Sequence, residues 1–174
     1  IGTYGITRDI TEIKLASKRE SEVRQQQIQG HLDMIKKQNE LFGDILNLVD
    51  YKIALKDPNG VIYLVNDAVA KDFGCPPSEI IGKSDFDFYD REFAEKIKEK
   101  EEQLVAAREP VISLEKVKFQ SNFKYWLIRK EPILIPEFED WGLLVIKNEI
   151  KEDKVNDTYL TSLKEKYPMI VIDI

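Results

Sequence analysis

The sequence predicts an α+β fold in which one long helix precedes a sheet of five strands with flanking helices. Residues 12–49 contain no proline and are rich in Glu, Lys, Arg, Gln and Leu, which favour helix. From residue 51 the pattern changes to short β-rich runs separated by turns that contain Gly, Pro and Asn. A second helical run, at 91–108, lies between the second and third strands. The predicted order is therefore strand, strand, short helices, long helix and three strands.

Composition narrows the class of protein. The 174 residues carry a net charge of −6, which argues against a nucleic-acid surface, and the hydrophobic fraction of 43% is enough for one core. The only cysteine is Cys75 and the only histidine is His31, so a disulfide framework and a Cys-based or His-rich metal site are excluded. No apolar run reaches the roughly 18–20 residues that span a bilayer, and no signal peptide opens the chain. We expect a cytoplasmic location, without membrane contact by this segment.

The long helix carries a heptad seam in its second half. Asn39 is the informative member, because a buried Asn at an a position pairs with its copy in a parallel dimer and fixes register at a cost in stability. This predicts a parallel coiled-coil homodimer; the alternative is that the seam packs on the globular domain of the same chain. The seam, with spacings of four and three residues, consists of Ile28, Leu32, Ile35, Asn39, Phe42, Leu46 and Val49.

The first two strands form a predicted hairpin. Residues 52–55 and 61–65 are β-rich, and the turn between them contains Pro58-Asn59-Gly60, in which Pro presets φ and Asn-Gly tolerates positive φ. Asn66-Asp67 is expected to cap a short helix that ends at Gly74.

Beyond this helix, a turn and a further short helix are expected at 76–82, and Asp90 is expected to cap the helix at 91–108. The three strands that follow are predicted at 111–119, 123–134 and 141–150.

This order of elements, with these residues, resembles the PAS fold. Each motif is weak by itself, and the set in this order is fairly specific, covering residues 51–152. The matching pieces are Asp57–Gly60, Asn66, Phe73-Gly74, Glu79–Gly82, the stretches 82–88 and 93–96, Trp126, Pro132 and the degenerate exit motif at 149–152.

The resemblance implies a five-stranded antiparallel sheet that encloses an apolar pocket with its helices. A signal would leave through helices joined to the sheet edges. The chain is then a sensor, relay and dimerisation module without catalysis of its own. The alternative is a ligand-free interaction scaffold whose core is simply filled. The candidate pocket residues are Leu64, Phe73, Ile81, Phe86, Phe88, Phe93, Ile97, Leu104, Val111, Phe119, Leu127 and Leu143.

Known PAS cofactors fit this sequence poorly. Haem-binding members supply an axial His from the long helix of the domain, and residues 91–108 contain none. Photoactive flavin members carry a Cys in a Gly-x-Asn-Cys-Arg motif, whereas Cys75 precedes two prolines. The acidic residues Asp85, Asp87 and Asp90 and the run 137–140 lack the spacing of a calcium loop. We expect no haem, flavin or metal; an unknown small ligand remains open.

The two ends of the chain resemble neighbouring domains. Asp9-Ile10-Thr11-Glu12 matches the PAS exit motif, so residues 1–11 are expected to be the last strand of a preceding PAS domain and 12–50 a signalling helix. Residues 153–174 are expected to begin an output domain or a linker, with a helix at 159–166 and an apolar strand after Pro168. This tail resembles the start of a GGDEF diguanylate cyclase domain or part of a response-regulator receiver. The parent protein would then be a diguanylate cyclase or belong to a two-component system, as a histidine kinase or hybrid.

Overall fold

The computed structural model describes residues 2–119, 122–168 and 170–173. The chain divides into two compact units, of which the first ends at Ile45 and the second begins at Leu46. Helix α1, Gly2–Asn47, makes up the first unit and continues two residues into the second. Its long proline-free run of helix formers accounts for the helix.

The strand expected at the start of the chain is wrong for the described residues, because helix α1 already begins at Gly2. A β-strand needs hydrogen-bonding partners from neighbouring strands, whereas a helix pairs its backbone groups within itself. The sequence pattern does not reveal whether such partners are present. That residues 1–11 derive from a preceding PAS domain stays a prediction.

Strands β1, Lys52–Lys56, and β2, Ile62–Val65, form the predicted hairpin. Gly60 in the turn has a φ of 80°, a conformation that favours glycine. A register shift between Leu55 and Lys56 places Ile62 opposite Lys56. Because of this irregularity, Ile62 and Val65 are both buried although they are three residues apart.

Three helices connect the hairpin to the rest of the sheet. They are α2, Asp67–Phe73, α3, Pro77–Ile80, and α4, Arg91–Ala107. The predicted caps are confirmed: Asn66 accepts a hydrogen bond from the Val69 N–H, Asp90 accepts one from the Phe93 N–H, and Gly74 closes α2 with a φ of 68°.

The sheet has six strands in the order β2-β1-β5-β4-β3-β6. Strands β3, Val111–Phe119, β4, Asn122–Ile135, and β5, Asp140–Ile150, are close to their predicted bounds and pair antiparallel, as β5 does with β1. The five-stranded antiparallel sheet expected from sequence is therefore present.

The sixth strand, β6, Val171–Asp173, extends the sheet at its edge. It follows helix α5, Asp157–Lys166, which Asn156 caps, and it pairs parallel with β3. An exposed strand edge offers unpaired backbone groups to any apolar strand that reaches it. That residues 153–174 begin an output domain or a linker stays a prediction.

Helices α2, α3 and α4 cover one face of the sheet, called here the inner face. Under the hairpin, Ile62 and Val65 pack with Ala70 of α2 and Ile80 of α3. In the middle of the sheet, Ile128, Leu143 and Val145 form a second cluster with Val105 of α4 and Trp126. The core of the domain thus lies between this face and these helices.

Candidate functional site

Charged residues lie among the apolar side chains of the inner face. Lys56 of β1 pairs in register with Leu143 of β5, and Lys130 of β4 pairs with Val145, so both lysines point toward the helices. Glu101 of α4 points back at them, and Asp85 follows in the turn after α3. These four residues, Lys56, Asp85, Glu101 and Lys130, are called here the charge cluster.

Glu101 is the centre of the charge cluster. One carboxylate oxygen accepts from the Lys56 ammonium at 2.7 Å and the other accepts from the Lys130 ammonium at 2.7 Å. Lys56 also donates to Asp85 at 2.5 Å. The side chains of Lys56 and Glu101 are 8% and 11% exposed, so their charges depend on one another rather than on water. The cluster joins α4 to β1 and β4.

The pKa values in the cluster follow from this geometry. Burial by itself would lower the pKa of Lys56, but the charges of Glu101 and Asp85 outweigh burial and raise it above its ordinary value. Burial would raise the pKa of Glu101, but Lys130 and Lys56 outweigh it and lower that pKa. Both groups are therefore held in their charged forms.

Lys147 of β5 lies on the same face without such a partner. It pairs in register with Lys52 of β1 and Ile128 of β4. It forms no ion pair and no hydrogen bond from its ammonium within the part of the chain that the structure describes. Burial, followed by the nearby charges of Lys130 and Lys56, lowers its pKa. Glu101 and Glu115 act in the opposite direction but do not outweigh burial, so the fold disfavours the charged form of Lys147.

The sequence did not lead us to predict Lys56, Glu101, Lys130 or Lys147, because the pocket was expected to be lined by apolar residues, and Asp85 was considered only as a calcium ligand. A signal was present: Lys130 and Lys147 share the alternating phase of the apolar residues Ile128, Leu143 and Val145 within their strands. A lysine in phase with core positions of a strand indicates a charge that faces the interior.

Several predicted pocket residues do lie on or near the inner face. Phe73 and Phe88 pack against the cluster under the hairpin, with their ring centroids 4.4 Å apart. Leu143 is 2% exposed in the central cluster. Ile97 and Leu104 of α4 and Val111 of β3 are half-buried. A ligand-lining role for these residues stays a prediction.

Other predicted pocket residues do not line the interior. Ile81, Phe86 and Phe93 are between 45% and 48% exposed. Ile80 takes the buried place that was assigned to its neighbour Ile81 and is 0% exposed. Segments this short have no complete hydrophobic period, so their sequence does not fix which side chain points inward.

Leu64 and Leu127 are corrected for a different reason. Leu64 pairs with Leu55, and Leu127 pairs with Leu114, so both side chains lie on the face of the sheet opposite α4. Apolar residues occupy both faces of these strands, so alternation of polarity does not distinguish them. The side chain of Phe119 lies outside the described residues.

Helix α1 supplies a second candidate surface. The seam residues Ile28, Leu32, Ile35 and Phe42 are each 52–53% exposed, and Asn39 lies among them on the same side of the helix. The predicted seam is one residue too long, because α1 ends at Asn47 and Val49 lies in the bend that follows. The helical seam therefore ends at Leu46.

The last turn of α1 is hydrogen bonded to the start of α2. The buried side chain of Asn66 donates to the carbonyl oxygens of Leu46 and Tyr51 at 3.0 and 2.7 Å. The Asp67 N–H donates to the Asn47 side chain at 2.8 Å. Any displacement of this turn would strain the bonds that also hold the hairpin.

Metal centres and membrane spans are two further kinds of site that the described residues could form. No group of three or more His, Cys, Asp or Glu side chains among them is placed to hold a metal ion. None of the helices they form combines the length and apolarity that crossing a bilayer requires. Cys75 packs against the cluster under the hairpin as a free thiol.

Solved structures share this architecture. The PAS domain of Bordetella pertussis BvgS superposes with a TM-score of 0.56 at 22% identity, over 75% of this chain and 98% of that one. A VqmA–ligand–DNA complex from Vibrio cholera gives 0.56 at 15% identity, over 74% of this chain and 57% of that one. At such identities the likeness shows the fold alone.

Sequence comparison supplies the family. No curated protein matches the chain. A family model described as PAS fold matches residues 47–154, which include the hairpin, all three connecting helices and strands β3 to β5. Because this match covers more than half of the sequence and the sheet has the order described above, the chain belongs to the PAS family.

Proposed function

We propose that this chain is a sensor and relay module of a signal-transduction protein, which passes a conformational change between its PAS domain and the helix α1. The observation that carries the proposal is the bonding of Asn66 to the last turn of α1. The same side chain accepts a hydrogen bond from the Ile53 N–H at 3.1 Å. A rearrangement under the hairpin would therefore reach the helix through one residue.

Dimerisation through the seam is the second part of the proposal. Four apolar seam residues are about half exposed, and a parallel partner helix would bury them at a and d positions. Asn39 would face its copy and select the parallel register. The proposed assembly is a homodimer in which the two PAS domains act on a shared coiled coil.

The PAS domain itself is proposed to bind and transmit without catalysis, and to use neither haem nor flavin. An output domain elsewhere in the parent protein, such as a diguanylate cyclase or a histidine kinase, would read the signal. A ligand-free scaffold remains the alternative function. The charge cluster favours a responsive domain, because a buried ion network often contributes no more stability than apolar residues of the same volume.

Cysteine cross-linking tests the dimer and its orientation. In a Cys75→Ser background, Asn39→Cys should form a disulfide between two chains under mild oxidation, because a parallel register brings the two copies together. Lys37→Cys, about 160° away around the helix, is the matched control and should stay reduced. Equal cross-linking at both positions, or at neither, would reject the seam.

Native mass spectrometry of the same chain tests the sensor proposal. Two chains with additional small-molecule mass would support a ligand-responsive dimer, and two bare chains would favour the scaffold alternative. A bare monomer that does not cross-link would contradict both.

A further inference from the structure

Helix α1 carries exposed apolar residues outside the seam. Near its C-terminal end, Met34, Leu41 and Ile45 are 59%, 59% and 51% exposed, about as much as the seam residues. Together with Gln38, which is also exposed, they follow one another at spacings of four, three and four residues. This set, Met34, Gln38, Leu41 and Ile45, is called here the second stripe. Its spacing is that of a heptad, so it fits a partner helix that supercoils with α1.

The second stripe repeats the seam one residue earlier. It therefore lies about 100° around the helix from the seam and at the same height along it. The layers also agree in kind, because Gln38 and Asn39 both carry a side-chain amide and the other three layers are apolar in both sets. The corresponding residues are Met34 and Ile35, Gln38 and Asn39, Leu41 and Phe42, and Ile45 and Leu46.

A two-stranded coil can bury only one of the two sets. In a parallel dimer each helix faces its partner along one narrow strip of a and d positions, so burial of the seam leaves the second stripe in water, and the reverse. A bundle of four α1 helices would bury both sets at once. It would also enclose the Gln38 and Asn39 amides of all four chains in one layer, which costs more than the two amides in that layer of a dimer.

We propose that the second stripe is a second dimerisation surface of α1, which binds the second stripe of another copy of this chain in alternation with the seam. The partner copy presents an identical stripe at the same height, and within a dimer its effective concentration exceeds that of any other helix. Rotation of each helix by about 100° around its own axis exchanges the two surfaces. This inference rests on the proposed dimeric relay and specifies how that relay is regulated.

The PAS domain is bonded to α1 where both sets end. Ile45 is the last member of the second stripe and Leu46 is the last helical member of the seam. The carbonyl oxygen of Leu46 accepts a hydrogen bond from Asn66, and the next side chain, Asn47, accepts one from the Asp67 N–H. A rearrangement at the start of α2 that turns this last helical turn would favour one set over the other.

Cysteine cross-linking in the Cys75→Ser background tests the second surface. Gln38→Cys should form a disulfide between two chains in a glutathione redox buffer, as Asn39→Cys should. Lys36→Cys is the matched control, because Lys36 and Gln38 lie about 80° to either side of the centre of the seam and only Gln38 belongs to the second stripe. A dimer that used the seam alone would treat positions 36 and 38 alike, so we expect several times more disulfide at 38.

Matched leucine substitutions test the alternation. Leu41→Ser weakens only the second stripe, and Leu32→Ser weakens only the seam. The ratio of disulfide at 38 to disulfide at 39 should fall roughly tenfold or more with Leu41→Ser and rise by a similar factor with Leu32→Ser, because each dimer loses two buried leucines from one set. Glu40→Ser, on the polar side of α1, should leave the ratio unchanged. Circular dichroism and the melting temperature check that these variants remain folded.

Equal disulfide at 36 and 38, or loss of both cross-links in Leu41→Ser, would overturn the proposal. A mass of four chains in native mass spectra would also overturn it, because both sets would then be buried together. The dimeric relay has separate outcomes. Two chains that cross-link at 39 without excess disulfide at 38 would refute the second surface and leave the relay standing, whereas a monomer that cross-links at neither position would reject both.

Discussion

The side-chain amide of Asn66 donates to the carbonyl oxygen of Leu46 at a distance of 3.0 Å, across twenty residues of sequence. Leu46 lies in the last turn of α1, where carbonyl groups have no partner within the helix. Asn66 is 2% exposed and also caps α2. One side-chain amide therefore forms hydrogen bonds to the last turn of α1, the first turn of α2 and strand β1.

Replacing this amide should be costly. Asn66→Ala leaves the carbonyl groups of Leu46 and Tyr51 and the N–H of Ile53 without their bonds, and we expect the free energy of unfolding to fall by about 2–4 kcal/mol. Urea denaturation followed by circular dichroism measures the loss. Asn59→Ala in the exposed turn is the control and should cost less than about 1 kcal/mol. Equal losses in the two variants would contradict the role of Asn66.

The charge cluster should be sensitive to loss of its central acid. Glu101→Gln removes the only carboxylate that Lys130 contacts and one of two that Lys56 contacts among the described residues. We expect a loss of about 3–5 kcal/mol, because lysine charges are left in a poorly solvated place. Glu102→Gln, at the exposed neighbouring position, is the control and should stay within about 0.5 kcal/mol of the parent. A stability loss no larger than that of the control would contradict a buried network.

Stability should depend on pH through the same residues. In the folded state the pKa of Glu101 lies below its ordinary value of 4.5. Its contribution to the free energy of unfolding is therefore present above pH 4.5 and is lost as the pH falls through the folded pKa. In the folded state the pKa of Lys56 lies above its ordinary value of 10.5. Its contribution to the free energy of unfolding is therefore present below pH 10.5 and is lost as the pH rises through the folded pKa. Melting temperatures measured from acid to alkaline pH test both arms. Glu101→Gln should flatten the acid arm, and an unchanged profile in that variant would argue against this assignment.

The charge of Lys147 should lower the stability of the fold, whereas the charges of the paired lysines should raise it. Its folded pKa lies below its ordinary value of 10.5, so the folded state pays a penalty that is complete below the folded pKa and vanishes above 10.5. Lys147→Met should therefore raise the melting temperature at neutral pH. Lys130→Met should lower it, because Glu101 loses one of its partners. A lower melting temperature in both variants would show that Lys147 has a stabilising partner.

The seam makes a separate prediction for assembly. Asn39→Ile should increase dimer stability and make the register or the oligomer number less specific. An apolar residue at an a position can pack against other apolar residues, whereas Asn needs the Asn of the partner helix. Analytical ultracentrifugation gives the oligomer mass, and urea denaturation gives stability. Lys37→Gln, on the other side of α1, should change neither. Unchanged mass and stability in Asn39→Ile would remove the basis for the seam.

Local chemistry in the sequence determined most of the elements. The Pro-Asn-Gly turn, the caps at Asn66 and Asp90 and the terminating Gly74 each act on adjacent backbone groups, so their effect is readable without knowing the rest of the fold. The order of these elements, together with the quoted motifs, was enough to predict the family. The apolar heptad of α1 was equally visible, because helical spacing places its members on one side.

Only the tertiary structure decided which strand face is inner and which charges meet there. Leu127 and Ile128 are adjacent and equally apolar, and only pairing in register with β5 and packing against α4 place Ile128 inside. Glu101 and Lys56 are 45 residues apart, so no local pattern couples them. The same holds for β6, whose parallel pairing depends on the free edge of β3. Turns and caps involve neighbours in sequence, whereas faces, ion pairs and edges exist only after distant segments have come together.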